Sequence, residues 1–297
     1  MTKITFLGTS AQIPTSKRNH SAILLNQGGE NILIDCGEGT QRQFRKTKLN
    51  PCKITKILIT HIHGDHVFGL PGLLSTLNFS EYTNELIIYG PKGLKNFLER
   101  FLDVSGVKRS FNLKVKEVSG IFFESEDFYL EAEKMKHGIP TNAYNFVIKD
   151  KLRIDKDKLN KLKISPGPLL KKLKEGKDVV VEGKKIKSKD LTYLEKGKKI
   201  SVVLDTVDNE RIVPFVKGAD LLISESSFGS DLKDLAKEHL HLTAEQAGKI
   251  AKKAKVKALL LTHISQRYEK NKKFLLDDAM KNFSEVQIVN DFDCFKL

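Results

Sequence analysis

The sequence predicts a large α/β protein, and two observations carry that prediction. Short apolar, β-branched runs such as 54–59 alternate along the chain with segments of helical period such as 91–104. Several of the apolar runs end in histidine or aspartate, which is the pattern expected where one edge of a sheet collects a site. With 297 residues, of which 40% are hydrophobic, the chain is long enough to form a single large core.

The most informative segment is His-Ile-His-Gly-Asp-His at 61–66, which packs four metal-capable side chains into six residues. It follows the apolar run 54–59, and the run 67–73 after it contains the glycines and proline of a loop that leads into a helix. A rigid sheet can hold ligands at such a strand end while the loop leaves them open to substrate. Polar residues in this position have no packing reason to cluster.

The spacing inside this segment predicts two metal ions. Alternate side chains of an extended segment share one side, so His61 and His63 are expected to point together. Once the chain turns, Asp65 and His66 face a second point nearby. Imidazole and carboxylate without thiolate suit zinc, and also manganese or iron.

Three further ligand-type residues end other predicted strands: His137, Asp205 and His263. Taken singly, each is explained better by a capping aspartate or a strand-end histidine than by a metal ligand. Together with the first cluster they predict that one sheet edge gathers a site for two ions. Cys36 could also be a ligand, although a small buried residue after a strand is the simpler interpretation.

Several segments resemble those of the metallo-β-lactamase superfamily and, within it, the tRNase Z family (short form). The metal motif alone indicates only the superfamily. The resemblance to the narrower family extends over nearly the whole chain and rests on flanking segments. These are Phe6-Leu7-Gly8-Thr9-Ser10, Pro14-Thr15-Ser16-Lys17-Arg18-Asn19, Asp35-Cys36-Gly37-Glu38-Gly39-Thr40-Gln41 and Leu261-Thr262-His263-Ile264-Ser265-Gln266-Arg267-Tyr268.

The resemblance implies the fold and the metal ligands. It implies one catalytic domain over residues 1–297, built as a four-layer αββα sandwich of two mixed sheets. It also implies two Zn²⁺ per subunit, with Mn²⁺ or Fe²⁺ as substitutes. One ion would be held by His61, His63 and His137, and the other by Asp65, His66 and His263, with Asp205 bridging the two.

The resemblance also assigns catalytic roles. Asp65 would take a proton from the attacking water, His241 would donate a proton or hydrogen bond to the departing 3′ oxygen, and Glu225 would orient His241. The chain departs from the family pattern near these residues. Leu204 stands where glycine usually precedes the bridging aspartate, Leu242 replaces a common serine, and Glu225 is followed by two serines. These departures are expected to affect loop geometry and hydrogen-bond partners, without removing a ligand.

Two histidines have no metal role in this interpretation. His239 is expected to be a solvated loop residue, and His20 to make at most a hydrogen bond near the site. The helix predictions that matter for packing are 91–104, and 243–255 with Thr243 as its N-cap.

The net charge of +14 is concentrated between residues 149 and 199, which contain 18 basic and eight acidic residues. We interpret residues 150–199 as an inserted basic arm; the alternative is a solvated lysine-rich surface. The resemblance implies that this arm grips the tRNA elbow through phosphates and shape. It assigns substrate binding to Pro166, Gly167, Pro168, Lys171, Lys172 and Lys174 of the arm, and to Arg267 outside it.

The resulting functional expectation is a metal-dependent endoribonuclease that cuts precursor tRNA after the nucleotide following the acceptor stem. The alternatives are a hydrolase of small phosphodiesters or thioesters on the same fold, and a non-catalytic RNA-binding protein. The family also implies a homodimer in which one subunit's arm serves the other's active site. No run of 18 apolar residues and no signal-peptide pattern occurs, and three scattered cysteines fit a reducing compartment, so a cytoplasmic protein without membrane contact is expected.

Overall fold

A computed structural model gives the structure of the protein and describes residues 1–107, 110–161, 167–181 and 183–297. Two seven-stranded mixed sheets form its centre. Strands and helices are numbered here in chain order.

The first sheet contains six strands from the N-terminal part of the chain and one from the C-terminal end. Its order is β18-β1-β2-β3-β4-β5-β6. The antiparallel meander β1–β3 lies beside the parallel strands β3–β6. The strands are β1 Lys3–Gly8, β2 Ala22–Gln27, β3 Glu30–Ile34, β4 Lys56–Leu58, β5 Leu86–Gly90, β6 Leu113–Glu117 and β18 Cys294–Lys296.

The second sheet has the order β17-β16-β15-β14-β9-β8-β7. Its strands β14, β15, β16 and β17 are parallel, and β9 is antiparallel to both β8 and β14. Therefore β8, β14, β15 and β16 all end at the same edge. The strands are β7 Gly120–Glu124, β8 Phe128–Met135, β9 Thr141–Ile148, β14 Lys199–Val203, β15 Leu221–Glu225, β16 Leu259–Thr262 and β17 Val286–Ile288.

Helices cover the outer faces of both sheets. Those on the first sheet are α1 Thr40–Lys46, α3 Leu70–Phe79 and α4 Leu94–Val104, and those on the second are α8 Ile212–Val216, α10 Ala244–Ala254 and α11 Lys272–Met280. The short helices α2 Gly64–Val67 and α9 Lys233–Glu238 lie in the connections from β4 to α3 and from β15 to α10. Short 3-10 helices occupy Pro51–Lys53, Ser230–Leu232 and Gln266–Tyr268.

Three apolar clusters establish the four layers. One lies between the sheets, where Phe6 and Ile23 of the first sheet meet Phe146 and Val202 of the second. A second packs α1, α3 and α4 on the first sheet, and a third packs α8, α10 and α11 on the second. Because both sheets are covered on both faces, central strands such as Leu259–Thr262 are buried at every position and are rich in apolar residues.

The two helices predicted from periodicity are present. α10 begins after Thr243, whose hydroxyl accepts from the backbone N–H of Gln246 while the Gln246 side chain accepts from the backbone N–H of Thr243. This is a capping box. α4 begins at Leu94, three residues later than predicted, because Gly93 in a left-handed conformation (φ 96°) precedes the first helical residue.

The segment between β9 and β14 forms a substructure of its own. It consists of β10 Lys151–Ile154, α5 Lys156–Lys161, α6 Pro168–Lys174, β11 Val179–Val181, β12 Lys184–Ile186, α7 Ser188–Leu191 and β13 Thr192–Glu195. Strand β10 pairs with β13 and β11 with β12, both antiparallel. Leu159, Leu173, Val179 and Leu191 form a small apolar core that is separate from the three clusters of the sandwich.

Candidate metal centre

The predicted ligands lie together in a cleft of about 660 Å³ at the edge where β8, β14, β15 and β16 end. His137 and Asp205 each follow a strand by two residues, and His263 follows β16 directly. His61 follows β4 of the other sheet by three residues. The cleft therefore opens between the two sheets.

Sharp turns at the strand ends direct the side chains towards the cluster of predicted ligands. Asp35, Asp205 and His263 have positive φ angles of 57°, 43° and 55°. Aspartate and histidine tolerate this region better than most residues, and such strain persists where surrounding contacts hold it. The positive φ falls on Asp205 itself, so Leu204, which is buried, fits the position where glycine is usual in the family.

The first group of ligand atoms comes from three histidines. Nδ1 of His63 lies 3.0 Å from Nε2 of His61 and 3.2 Å from Nε2 of His137. His61 is fully buried, whereas His63 is exposed at the mouth of the cleft. The ring nitrogens thus converge on one point that is accessible from solvent.

The second group combines two histidines with Asp65. Oδ2 of Asp65 lies 3.3 Å from Nε2 of His66 and 3.4 Å from Nε2 of His263. The two Nε2 atoms are 3.3 Å apart. These atoms and Asp205 all lie close enough to share one ion.

Asp205 connects the two groups. Its Oδ2 lies 3.6 Å from Nε2 of His61 and 3.9 Å from Nε2 of His137. Its Oδ1 lies 3.6 Å from Nε2 of His66 and 3.3 Å from Nε2 of His263. Each oxygen of one carboxylate therefore faces a different group, which is the arrangement that a bridging ligand requires.

Outer hydrogen bonds fix which ring nitrogen of His66 and of His137 carries a proton. Nδ1 of His66 donates to Oδ2 of Asp35 at 2.7 Å, and Nδ1 of His137 donates to the carbonyl oxygen of Leu240 at 3.1 Å. Because these acceptors cannot donate, both Nε2 atoms present a lone pair to the cleft when the rings are neutral.

Two hydroxyl groups play the same role for His61 and His263. Thr60 Oγ1 donates to Asp35 and lies 3.1 Å from Nδ1 of His61. Ser227 Oγ donates to Oε2 of Glu225 at 2.6 Å and lies 2.8 Å from Nδ1 of His263. Since each hydroxyl proton is already engaged, each oxygen accepts from the ring nitrogen.

The unsatisfied oxygen of Asp205 and the types of donor atom present show that these residues fit metal ions. Oδ1 of Asp205 is buried and accepts no hydrogen bond from the part of the chain that the structure describes. An unsatisfied buried carboxylate oxygen is costly, and a cation removes that cost. Nitrogen and carboxylate donors in two groups suit a pair of divalent ions. No grouping of ligand atoms among the described residues includes Cys36, which is buried.

Local charges keep the carboxylates ionised. Burial raises the pKa of Asp65, but His66 and His263 outweigh it and hold this pKa far below the ordinary value. The pKa of Asp205 is lowered in the same way, against burial, by His263, His66 and His61. Burial also lowers the pKa of His66, but Asp65, Asp205 and Asp35 raise it well above the ordinary value. Without an ion, His66 therefore carries a proton that a bound metal would displace.

His241 lies beside the two groups and has a different partner. Its Nδ1 donates to Oε2 of Glu225 at 2.9 Å. Burial lowers the pKa of His241, but the Glu225 carboxylate outweighs burial and raises this pKa to about 9. A protonated imidazole is a hydrogen-bond donor and not a ligand. Glu225 is fully buried and is itself held by the backbone N–H of Thr206 at 2.6 Å.

The predicted substrate-binding residues lie in two places. Arg267 lines the cleft, with its guanidinium 5.8 Å from the ring centre of Phe228. Gly167, Pro168, Lys171, Lys172 and Lys174 are exposed in the segment between β9 and β14, and Pro166 lies outside the described residues. None of the arm residues that the structure describes lines the cleft of the same chain.

Asp35, Thr60 and Ser227 were not assigned roles from the sequence. Asp35 directly follows strand β3, and its position after a strand, like that of the ligands, is the sequence signal that could have indicated a role at the site. Thr60 and Ser227 carry no comparable pattern, because their contacts depend on how the loops pack. His239 is exposed at the cleft, as predicted, and the buried His20 makes the predicted hydrogen bond near the site, to the carbonyl oxygen of Gln12.

Comparison with known proteins identifies similar sequences over the full length. The family model described as Anti-Pycsar protein Apyc1 matches residues 2–165, a segment that ends before Asp205, Glu225, His241 and His263. Ribonuclease Z of Nanoarchaeum equitans is 41% identical over 90% of this chain and 84% of that protein. Ribonuclease Z of Oceanobacillus iheyensis is 39% identical over 99% of this chain and all of the relative.

Comparison with solved structures agrees with the sequence relatives. Human tRNase Z, short form, is 30% identical and superposes with a TM-score of 0.71 over 99% of this chain and 98% of that one. A metallo-β-lactamase fold protein of Bacillus subtilis is 20% identical and superposes with a TM-score of 0.72 over 99% of this chain and 98% of that one. The metallo-β-lactamase fold predicted from the sequence is thereby confirmed.

Proposed function

The chain belongs to the ribonuclease Z family, and from this membership we propose that it removes the 3′ trailer from precursor tRNA. It is a metal-dependent endoribonuclease that hydrolyses the phosphodiester after the nucleotide following the acceptor stem. The products are a tRNA with a 3′-hydroxyl and a trailer with a 5′-phosphate.

The observation that carries the chemistry is the pair of groups that share Asp205. One carboxylate faces three histidines through Oδ2 and two histidines with Asp65 through Oδ1. Two divalent ions, when bound there, supply positive charge at the phosphate and favour ionised water near neutral pH. We propose zinc, with manganese or iron as substitutes, and His61, His63 and His137 as ligands of one ion. The second ion would be held by Asp65, His66 and His263.

Two side chains of the cleft move protons in this proposal. Asp65, an ionised carboxylate, takes a proton from the attacking water. His241 is protonated at neutral pH, since its pKa is about 9, and it donates to the departing 3′ oxygen. Glu225 holds the ring of His241 at Nδ1, which leaves Nε2 for the substrate.

The basic segment supports binding of the tRNA body. Lys171, Lys172 and Lys174 are exposed on α6, around a buried Leu173 that anchors the helix to the small core. A rigid surface of lysines suits contact with phosphates and carries little sequence information, which fits an enzyme acting on many tRNAs. We propose residues 150–199 as the tRNA-binding arm, with Gly167 and Pro168 fixing the start of α6. Arg267 would contact the RNA inside the cleft.

A homodimer would bring an arm to the cleft, because none of the described residues of the chain's own arm lines it. Helix α4 exposes Val104 and leaves Phe97 and Phe101 only partly covered beside the exposed Phe68. Adjoining apolar side chains of this kind mark a protein interface. We propose that this face meets a second copy of the chain.

No helix in the described parts of the chain is long and apolar enough to cross a membrane. We propose a cytoplasmic enzyme.

End-mapped cleavage of a 3′-extended precursor tRNA tests the proposal. Wild-type protein should cut once beside the acceptor stem, and Asp65→Ala should be inactive at equal metal content. The exposed Asp234 offers a control, since Asp234→Ala should cut like wild type. Hydrolysis of bis(p-nitrophenyl) phosphate without tRNA cleavage would support metal-dependent phosphodiester hydrolysis but would reject precursor tRNA as the substrate. Tight tRNA binding without hydrolysis of either substrate would indicate a non-catalytic RNA-binding protein.

A further inference from the structure

His20 is a buried histidine that the proposed mechanism does not use. Its Nε2 lies 2.9 Å from the carbonyl oxygen of Gln12. Because a carbonyl oxygen only accepts, Nε2 carries the proton and donates. The backbone N–H of Gln12 in turn donates to Oδ2 of Asp65 at 3.1 Å. The single residue Gln12 therefore connects the His20 ring with the carboxylate of the proposed base.

Gln12 has a backbone conformation that requires support. Its φ is 27°, a value that residues with side chains rarely adopt, and it persists only where neighbours hold it. The hydroxyl of Ser10 donates to the carbonyl oxygen of Ile13 at 2.6 Å and so closes the loop around Gln12. The bond from His20 is the contact that fixes the Gln12 carbonyl within this loop.

Two glycines hold the backbone of His20 against the site. A Cβ at Gly8 would lie 1.7 Å from the His20 carbonyl oxygen. A Cβ at Gly37 would lie 2.4 Å from the His20 Cβ and 2.3 Å from the Asp65 carbonyl oxygen. Because His20 and Asp65 both pack against Gly37 without space for a methyl group, their separation is fixed by the fold.

We propose that His20 is a positioning residue for Asp65. By donating to the Gln12 carbonyl, it keeps the Gln12 N–H aimed at Oδ2 and so restricts rotation of the Asp65 carboxylate. The carboxylate is then already oriented when it takes a proton from water. This inference rests on the proposed function, in which Asp65 is the base.

Two amide substitutions of different length test the inference. In His20→Gln the amide N–H reaches about as far as Nε2, whereas in His20→Asn it is one methylene too short. We expect His20→Asn to lower kcat about tenfold or more, within the range for groups that orient a catalytic residue. KM for precursor tRNA should not change, because no substrate contact is removed. His20→Gln should restore most of the lost kcat.

Three further measurements separate positioning from loss of structure. Each variant should be fully folded at the assay temperature, and its metal content per chain and the Kd of the metal-free protein for precursor tRNA should match wild type. An unchanged kcat in His20→Asn would overturn the inference. So would an equal loss in both variants, or a loss that follows incomplete folding or reduced metal content.

The same variants distinguish a failure of this inference from a failure of the proposed substrate. If wild type leaves tRNA intact but hydrolyses bis(p-nitrophenyl) phosphate, the kcat comparison is made with that ester. A lower value for His20→Asn, restored in His20→Gln, would then still support positioning of Asp65. Equal values in the three proteins would reject it.

Discussion

Oε2 of Glu225 lies 2.9 Å from Nδ1 of His241, and this buried carboxylate raises the pKa of the imidazole to about 9. The pair therefore keeps His241 protonated at neutral pH, against the effect of its own burial. A group that must donate a proton loses its function as the pH rises through its pKa. The alkaline limb of the pH–rate profile is therefore the place where this contact can be observed.

Glu225→Gln should move that alkaline limb to lower pH. Glutamine removes the negative charge that offsets the effect of burial, so the pKa of His241 falls and the imidazole loses its proton at lower pH. We also expect kcat near neutral pH to fall about 10- to 100-fold. The measurement is a pH profile of kcat on precursor tRNA. The exposed Glu238 provides a control, because Glu238→Gln should keep the wild-type profile, and an unmoved limb in Glu225→Gln would contradict the assigned role.

Metal uptake should release protons near neutral pH. Asp65, Asp205 and Asp35 raise the pKa of His66 well above its ordinary value despite burial, so the metal-free protein binds a proton there. An ion competes with that proton, and apparent metal affinity should therefore rise with pH until this pKa is passed. Calorimetric titration of chelated protein in two buffers of different ionisation enthalpy counts the protons. Uptake without proton release would mean that His66 is already neutral.

Much of this centre could be predicted because its ligands follow strands. His137, Asp205 and His263 each end an apolar run, and parallel strands bring such ends to one edge. The hydrogen bonds from Ser227 to Glu225 and from Gln12 to Asp65 were not predicted, since they depend on loop packing between distant parts of the chain.

The arm illustrates the same limit. Its charge was evident in the sequence, but its two small antiparallel sheets were not. Strands of three or four residues, such as Val179–Val181, are too short to give a periodic signal. Their pairing depends on the small core around Leu173.

Thr243→Ala should lower the stability of the protein by about 1 kcal/mol. The Thr243 hydroxyl accepts from the backbone N–H of Gln246 at 3.2 Å, and alanine leaves that partly buried first-turn donor without its side-chain acceptor. Thr243→Ser keeps the oxygen and should stay close to wild type. Thermal unfolding of the metal-free protein compares the three. Equal midpoints for alanine and serine would show that the capping box contributes little here.

Deletion of residues 151–196 should leave the sandwich folded. The backbone N–H of Ile148 donates to the carbonyl oxygen of Lys198 at 2.8 Å, so the two ends of the arm are already paired. The deletion joins Asp150 to Gly197, which gives an Asp-Gly turn between β9 and β14. Hydrolysis of bis(p-nitrophenyl) phosphate should persist while cleavage of precursor tRNA is lost. Loss of both activities with a native circular dichroism spectrum would contradict a role of the arm confined to tRNA binding.

Mixed dimers should determine which cleft the arm serves. The arm-deleted protein has an intact cleft but cannot hold tRNA, and Asp65→Ala has an arm but no base. If each arm serves the partner's cleft, a heterodimer of the two unites one working cleft with the arm of the other subunit. Co-expression with two affinity tags and sequential purification isolates that heterodimer. We expect it to cut precursor tRNA, whereas each parental homodimer does not. An inactive heterodimer that still hydrolyses bis(p-nitrophenyl) phosphate would indicate that arm and cleft must belong to the same chain.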